Sequence, residues 1–249
     1  MGYTEVTYYA GQTIEKRKYY ARRSDAPAAK GGKSEKPSKE EIDRINRRNS
    51  ERKLRLLMNA NFFDGDYNIS LTYGADTPPP TWEQAKADWK RFLRRLRKLY
   101  ADNGQMLKWI VITAIGKTHG RLHHHLICSA GVPLGDIQKA WGLGKVRAGV
   151  LDTNWQYGGL AHYLVNQKRA LPEEGEHVQR WSCSRNLEQP RVERRTVKAK
   201  SWRECITPPP GYYEEVNARY IGIDKFGHPT VEYRFLKIAP PKKSTRRRE

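Results

Sequence analysis

Apolar residues recur along this chain in two rhythms, every second residue in some segments and every third or fourth in others. Tyr67-Asn-Ile-Ser-Leu-Thr-Tyr73 alternates and is rich in β-formers, which predicts a strand after the turn at Asp64-Gly65-Asp66. Ala85, Trp89, Phe92, Leu93, Leu96 and Leu99 then recur at helical spacing, opened by the capping pair Thr81 and Gln84 and closed by Asn103-Gly104. Met106 to Ile115 and Leu122 to Cys128 read as a hairpin about the turn 116–120. A short helix over Pro133 to Trp141, a strand over Lys145 to Leu151 and a helix over 157–168 follow. Outside this stretch, residues 4–20 predict a strand pair about Gly11. Ser38, with Glu41 three residues on, starts a basic helix, and 218–238 predict a second hairpin. Helices and antiparallel strands mix without regular βαβ alternation. The expected class is therefore α+β, an antiparallel sheet with helices packed on one side of it. The expected organisation is a strand pair over 1–21, a flexible Pro/Gly/Ser/Lys linker over 22–38, the basic helix over 39–62, a main domain over 63–170 and an extension over 171–249. The two ends thus stand as N- and C-terminal extensions.

Charge narrows the class of partner. The chain has 249 residues with 47 Lys+Arg against 27 Asp+Glu, a formal charge of +20. Such an excess points first to nucleic acid. Arg91, Arg94, Arg95 and Lys98 on the outer face of the 82–102 helix, together with Arg121 and Arg169, are candidate phosphate contacts, as are the basic residues of 44–55. The longest mostly apolar run, Trp109 to Ile115, falls well short of the roughly 20 residues a bilayer span needs, so no membrane partner is expected. The first residues carry no apolar signal core, and Val6 stands where myristoylation needs Ser or Thr. Cys128, Cys183 and Cys205 form no CxxC pair and read as reduced thiols, which fits a cytoplasmic protein.

The chemistry concentrates in Gly120-Arg-Leu-His-His-His-Leu-Ile127. On a strand, His123 and His125 share a face and His124 takes the other. Two imidazoles at i and i+2 suit one divalent metal; the alternative is a polar strand face. On the later helix, Leu160, Ala161, Leu164 and Val165 mark the inner side, which leaves Tyr163 either as a packing residue or as a displayed phenol.

Together these residues resemble the HUH endonucleases, specifically the single-tyrosine rolling-circle replication initiators of plasmids, phages and integrative elements. YNISLTY resembles their first motif. GRLHHHLI resembles their metal motif, with His124 in the usually hydrophobic slot. LAHYLVNQK resembles their nucleophile helix. Trp181-Ser-Cys-Ser-Arg-Asn-Leu187, the segment at Trp202 and Pro210-Gly-Tyr-Tyr213 are similar to the tail of the mobile-element branch, so the likeness spans roughly residues 40–238. It implies a ferredoxin-like HUH/Rep-type sheet and a divalent cofactor, Mg²⁺ or Mn²⁺, on His123 and His125. It also implies single-stranded DNA or an origin hairpin as substrate, a host helicase as candidate partner, and Tyr163 as nucleophile with Lys168 as its helper. The family's acidic third ligand falls at Ala114, which leaves His119, water or substrate phosphate to complete the sphere. A carboxylate lost from the site weakens hard cations most. Three rivals remain: a single-tyrosine transposase or relaxase, a DNA-binding regulator on a decayed site, and a basic RNA-binding protein with incidental histidines.

Overall fold

The computed structural model describes residues 2–20, 37–74, 81–116, 120–152, 156–167, 181–224 and 226–238. Among them the order is β1 (Tyr3–Ala10), β2 (Thr13–Tyr19), α1 (Lys39–Asn61), β3 (Tyr67–Thr72), α2 (Trp82–Asp102), β4 (Trp109–Ile115), β5 (Leu122–Cys128), α3 (Leu134–Trp141), β6 (Val146–Val150), α4 (Gly158–Val165), β7 (Ser182–Cys183), β8 (Arg191–Val197), β9 (Tyr212–Glu214), β10 (Tyr220–Ile223) and β11 (Pro229–Lys237). The chain is α+β, as the mixed rhythms predict. The expected linker, the 78–80 proline run, the basic tail, His119, Lys168 and Arg169 lie outside the described residues, apart from positions 37 and 38 at the end of the linker.

Two compact units form. One comprises Met1–Ala60, Asn154–Gly158 and Gln189–Glu249; the other comprises Asn61–Thr153 and Gly159–Glu188.

The second unit carries a five-stranded antiparallel sheet in the order β6-β3-β5-β4-β7. Residues paired across neighbouring strands share a face, so the register sorts every side chain. Ile69 and Leu71 of β3, Leu126 and Cys128 of β5, and Trp109 and Val111 of β4 face one way. They meet Trp89, Phe92, Leu96 and Tyr100 of α2 and Ile137 and Trp141 of α3. Thr81 caps α2 in a full capping box with Gln84. Gly142 ends α3 at φ 65°, a left-handed position that suits glycine. The Trp141 indole donates to the Thr72 carbonyl at 2.8 Å, which fixes α3 beside β3. One expectation changes here. Helices do not lie on a single side, because α4 brings Tyr163 against His125 on the face opposite α2 and α3. The hydrophobic pattern shows that each helix buries a stripe, but not which face of the sheet receives it.

In the first unit, β10-β11-β2-β1-β8 form an antiparallel sheet, with β9 added on β11. Strands expected in an N-terminal pair and in a C-terminal extension are thus hydrogen-bonded to each other. Strand β8 is one that the sequence pattern does not announce. Its residues RVERRTV are almost all exposed, so no alternation of apolar and polar residues marks it, and backbone pairing with β1 defines it. Helix α1 starts in the expected box, with Ser38 and Glu41 bonding each other's backbone amides. Its basic face is not all free for phosphate. Arg55 makes a bidentate pair with buried Glu15, 2.7 Å at both contacts, and Arg48 and Arg52 donate to Glu232 at 2.6 and 2.8 Å. These charges serve the unit's own interior.

Candidate metal and nucleophile site

Strand β5 is central in its sheet, with β3 and β4 on either side. Its odd-numbered residues face away from the Trp89 and Phe92 core. One cross-strand row holds Ser70, His125 and Ile112; the next holds Thr72, His123 and Ala114. The two imidazoles meet Nε2 to Nε2 at 3.0 Å, with ring centroids 4.7 Å apart and planes at 80°. Each Nδ1 is turned toward protein: Ser70 Oγ lies 3.3 Å from that of His125, and the Arg121 carbonyl lies 3.4 Å from that of His123. The Arg121 carbonyl can only accept, so it favours the His123 tautomer whose Nε2 lone pair is free to ligate, and the Ser70 hydroxyl can accept from His125 in the same way. Burial, and then the neighbouring His123, pushes His125 down to about 4; burial likewise lowers His123 against the weaker effect of the Arg121 carbonyl. Both rings are neutral at pH 7, the form a metal needs.

This donor set fits a divalent ion. Two neutral imidazole nitrogens 3.0 Å apart on one face of a strand are close enough that both would hold the same ion. The protein set is sparse, however. Ala114, fully buried, stands opposite His123, and no third His, Cys, Asp or Glu joins the pair among the described residues.

His124 takes the other face and is sealed in the core. Thr113 Oγ1 lies 2.8 Å from its Nδ1 and the Tyr73 hydroxyl 3.1 Å from its Nε2. The rings of Trp89, Trp141 and Tyr73 surround it at centroid distances of 5.6 to 6.0 Å. A histidine is accommodated in this core because both ring nitrogens find partners and the flat ring packs among aromatics. Burial drives it down to about 3, so it stays neutral.

Tyr163 lies on α4, whose buried residues are Ala161, Leu164 and Val165. Helical spacing puts the phenol on the opposite side of that helix, where it is 51% exposed. Its ring stands 5.5 Å from that of His125, edge-on at 81°. Tyr157, the other phenol near this helix, is buried. The structure therefore brings together His123, His125 and Tyr163. It does not bring the 91–98 cluster to them, because α2 covers the opposite face. There Arg91 pairs with Asp88, Arg95 donates to the Ala140 carbonyl and Lys98 pairs with Asp102, while Arg94 is exposed. Arg121 reaches the Gly74 carbonyl. Two residues of the histidine face escaped the sequence reading, Ser70 behind His125 and Arg147 on β6. Alternation within YNISLTY gives the side of Ser70 relative to its own neighbours, but only the register ties that side to the histidines.

No helix among the described residues is long and apolar enough to cross a membrane. No curated protein and no solved structure matches the chain. Residues 66–168 are similar to the family described as Replication-associated protein ORF2/G2P, and that stretch runs from β3 through α4 and so contains His123, His125 and Tyr163.

Proposed function

We propose that this protein is a rolling-circle replication initiator that nicks and rejoins single-stranded DNA through a 5′-phosphotyrosine. The observation that carries the reading is the half-exposed Tyr163 ring standing against His125, whose Nε2 points at that of His123. His123 and His125 would hold the divalent ion, Mg²⁺ or Mn²⁺. That ion supplies Lewis-acid polarisation of a phosphate oxygen when bound. Tyr163 supplies the nucleophile. Its oxygen bonds to phosphorus as the bond from phosphorus to the 3′ oxygen breaks. The phenolic proton leaves as the bond forms and the departing 3′ oxygen gains one; Lys168 is the candidate electrostatic or acid/base helper. The new ester keeps the energy of the old one, so a 3′-hydroxyl can attack it in reverse and close the strand. Ser70 and the Arg121 carbonyl keep both rings turned with Nε2 outward.

The test is a denaturing gel of end-labelled single-stranded DNA incubated with the protein and Mn²⁺. Label retained on the wild type and lost with Tyr163→Phe supports the proposal; equal retention by both refutes it. One observation favours a second reading, that of a DNA-binding regulator: Ala114 sits buried where an acid would complete the metal set. Tight, salt-sensitive binding with no adduct on any origin fragment would favour that reading.

A further inference from the structure

The histidine face runs on to the edge of its sheet. Arg147 of β6 pairs with Ser70, and Ser70 pairs with His125, so the three form one cross-strand row. In the next row Thr72, opposite His123, donates its amide to the Lys145 carbonyl at 2.9 Å. Val146, between the two basic residues, turns to the other face and packs on the core under α2 and α3. Alternation thus points Lys145 and Arg147 to the side of the histidines. Arg147 is exposed, and among the described residues no carboxylate pairs with it. Gly149, next on this face, carries no side chain to obstruct a strand laid along β6. Residues two apart on a strand are about 6.6–6.8 Å apart, a spacing that lets successive basic groups meet successive phosphates. Arg147 lies two strand spacings from His125, about 10 Å between backbones, which an extended arginine and the step between neighbouring phosphates span.

We propose that β6 is the rail on which this site holds single-stranded DNA. Arg147 grips the backbone phosphate beside the one placed at His123 and His125, and Lys145 grips the next. The inference rests on the nuclease reading for the identity of the polyanion. It assigns the grip to residues on the histidine face, not to the basic face of α2. An exposed basic edge strand also guards against edge-to-edge association, and that role alone would involve no DNA.

The experiment measures binding of a fluorescein-labelled oligothymidylate to the full chain by anisotropy over a range of salt. The protein carries Tyr163→Phe so that no chemistry intervenes. Arg147→Gln should lower the slope of log affinity against log salt by about 0.7, one single-strand phosphate contact, and weaken binding several-fold at low salt. Arg147→Lys, which keeps the charge, should restore most of the slope. Arg94→Gln, on the outer face of α2, should leave it unchanged. An unaltered slope for Arg147→Gln, or equal losses for Arg94→Gln, overturns the proposal. Gel filtration of the same variants reads the edge-guarding role: dimers without a change in slope would mean that Arg147 only blocks association. Adduct formation by the Tyr163 protein is scored separately. A chain that makes adducts but shows no Arg147 effect keeps the nuclease reading and loses the rail; the reverse pattern keeps the rail and loses the nuclease.

Discussion

Replacing Arg55 by Met strips buried Glu15 of its bidentate partner, two contacts of 2.7 Å. Breaking a buried ion pair from one side costs about 3–5 kcal/mol, because the remaining charge keeps its burial and loses its compensation. Arg234 Nε at 3.8 Å and the nearby Arg52 soften the loss, so we expect the low end, about 3 kcal/mol. In a chain of this size that lowers the melting temperature of the unit by about 6–12 °C. Removing both charges, with Arg55→Met and Glu15→Leu together, should recover most of the loss, since an apolar pair of similar volume is often neutral. The pH profile carries the same information. Burial alone would raise Glu15, but Arg55, then Arg234 and Arg52, outweigh it and the net shift is downward. A carboxylate lowered in the folded state stabilises above its unfolded value, near 4.5, and that contribution fades as pH falls toward the folded value. Calorimetric scans from pH 7 to 3 should show the wild type losing this increment and the double variant lacking it. A melting temperature for Arg55→Met within 2 °C of wild type would refute the reasoning. So would a double variant as weak as the single one. Unchanged stability with a reduced salt slope for DNA would instead return α1 to the role of a phosphate-binding helix.

The other predictions concern the sheet. His124→Leu should cost about 1 kcal/mol, an exchange of hydrogen bonds for apolar fit, whereas His124→Ala should cost about 3 kcal/mol by opening a cavity among Trp89, Trp141 and Tyr73; urea denaturation reads both. Neither change should abolish Mn²⁺ binding measured by calorimetry, because His124 lies on the opposite face from His123 and His125. Ala114→Glu places a carboxylate opposite His123 and should tighten Mn²⁺ binding at least several-fold. Equal affinity in the two proteins would count against an ion held between this position and the two histidines.

Much of this molecule follows from local rules that need no partner in space. Period-two alternation puts His123 and His125 on one side of β5 and His124 on the other. The spacing of Ala161, Leu164 and Val165 turns Tyr163 outward, and Ser38-Glu41 and Thr81-Gln84 fix where α1 and α2 begin. Each depends only on residues within a turn or a strand of one another, so the sequence determines it. Strand register, the face of the sheet that each helix covers and the partner of each charge are set by long-range pairing. Distant segments settle these together by burying apolar surface and satisfying backbone groups. That is why α4 and not α2 lies over the histidines, and why Arg55 serves Glu15, forty residues earlier in the chain. Arg147, unmarked in the sequence, came into line with His125 only when β6 paired with β3.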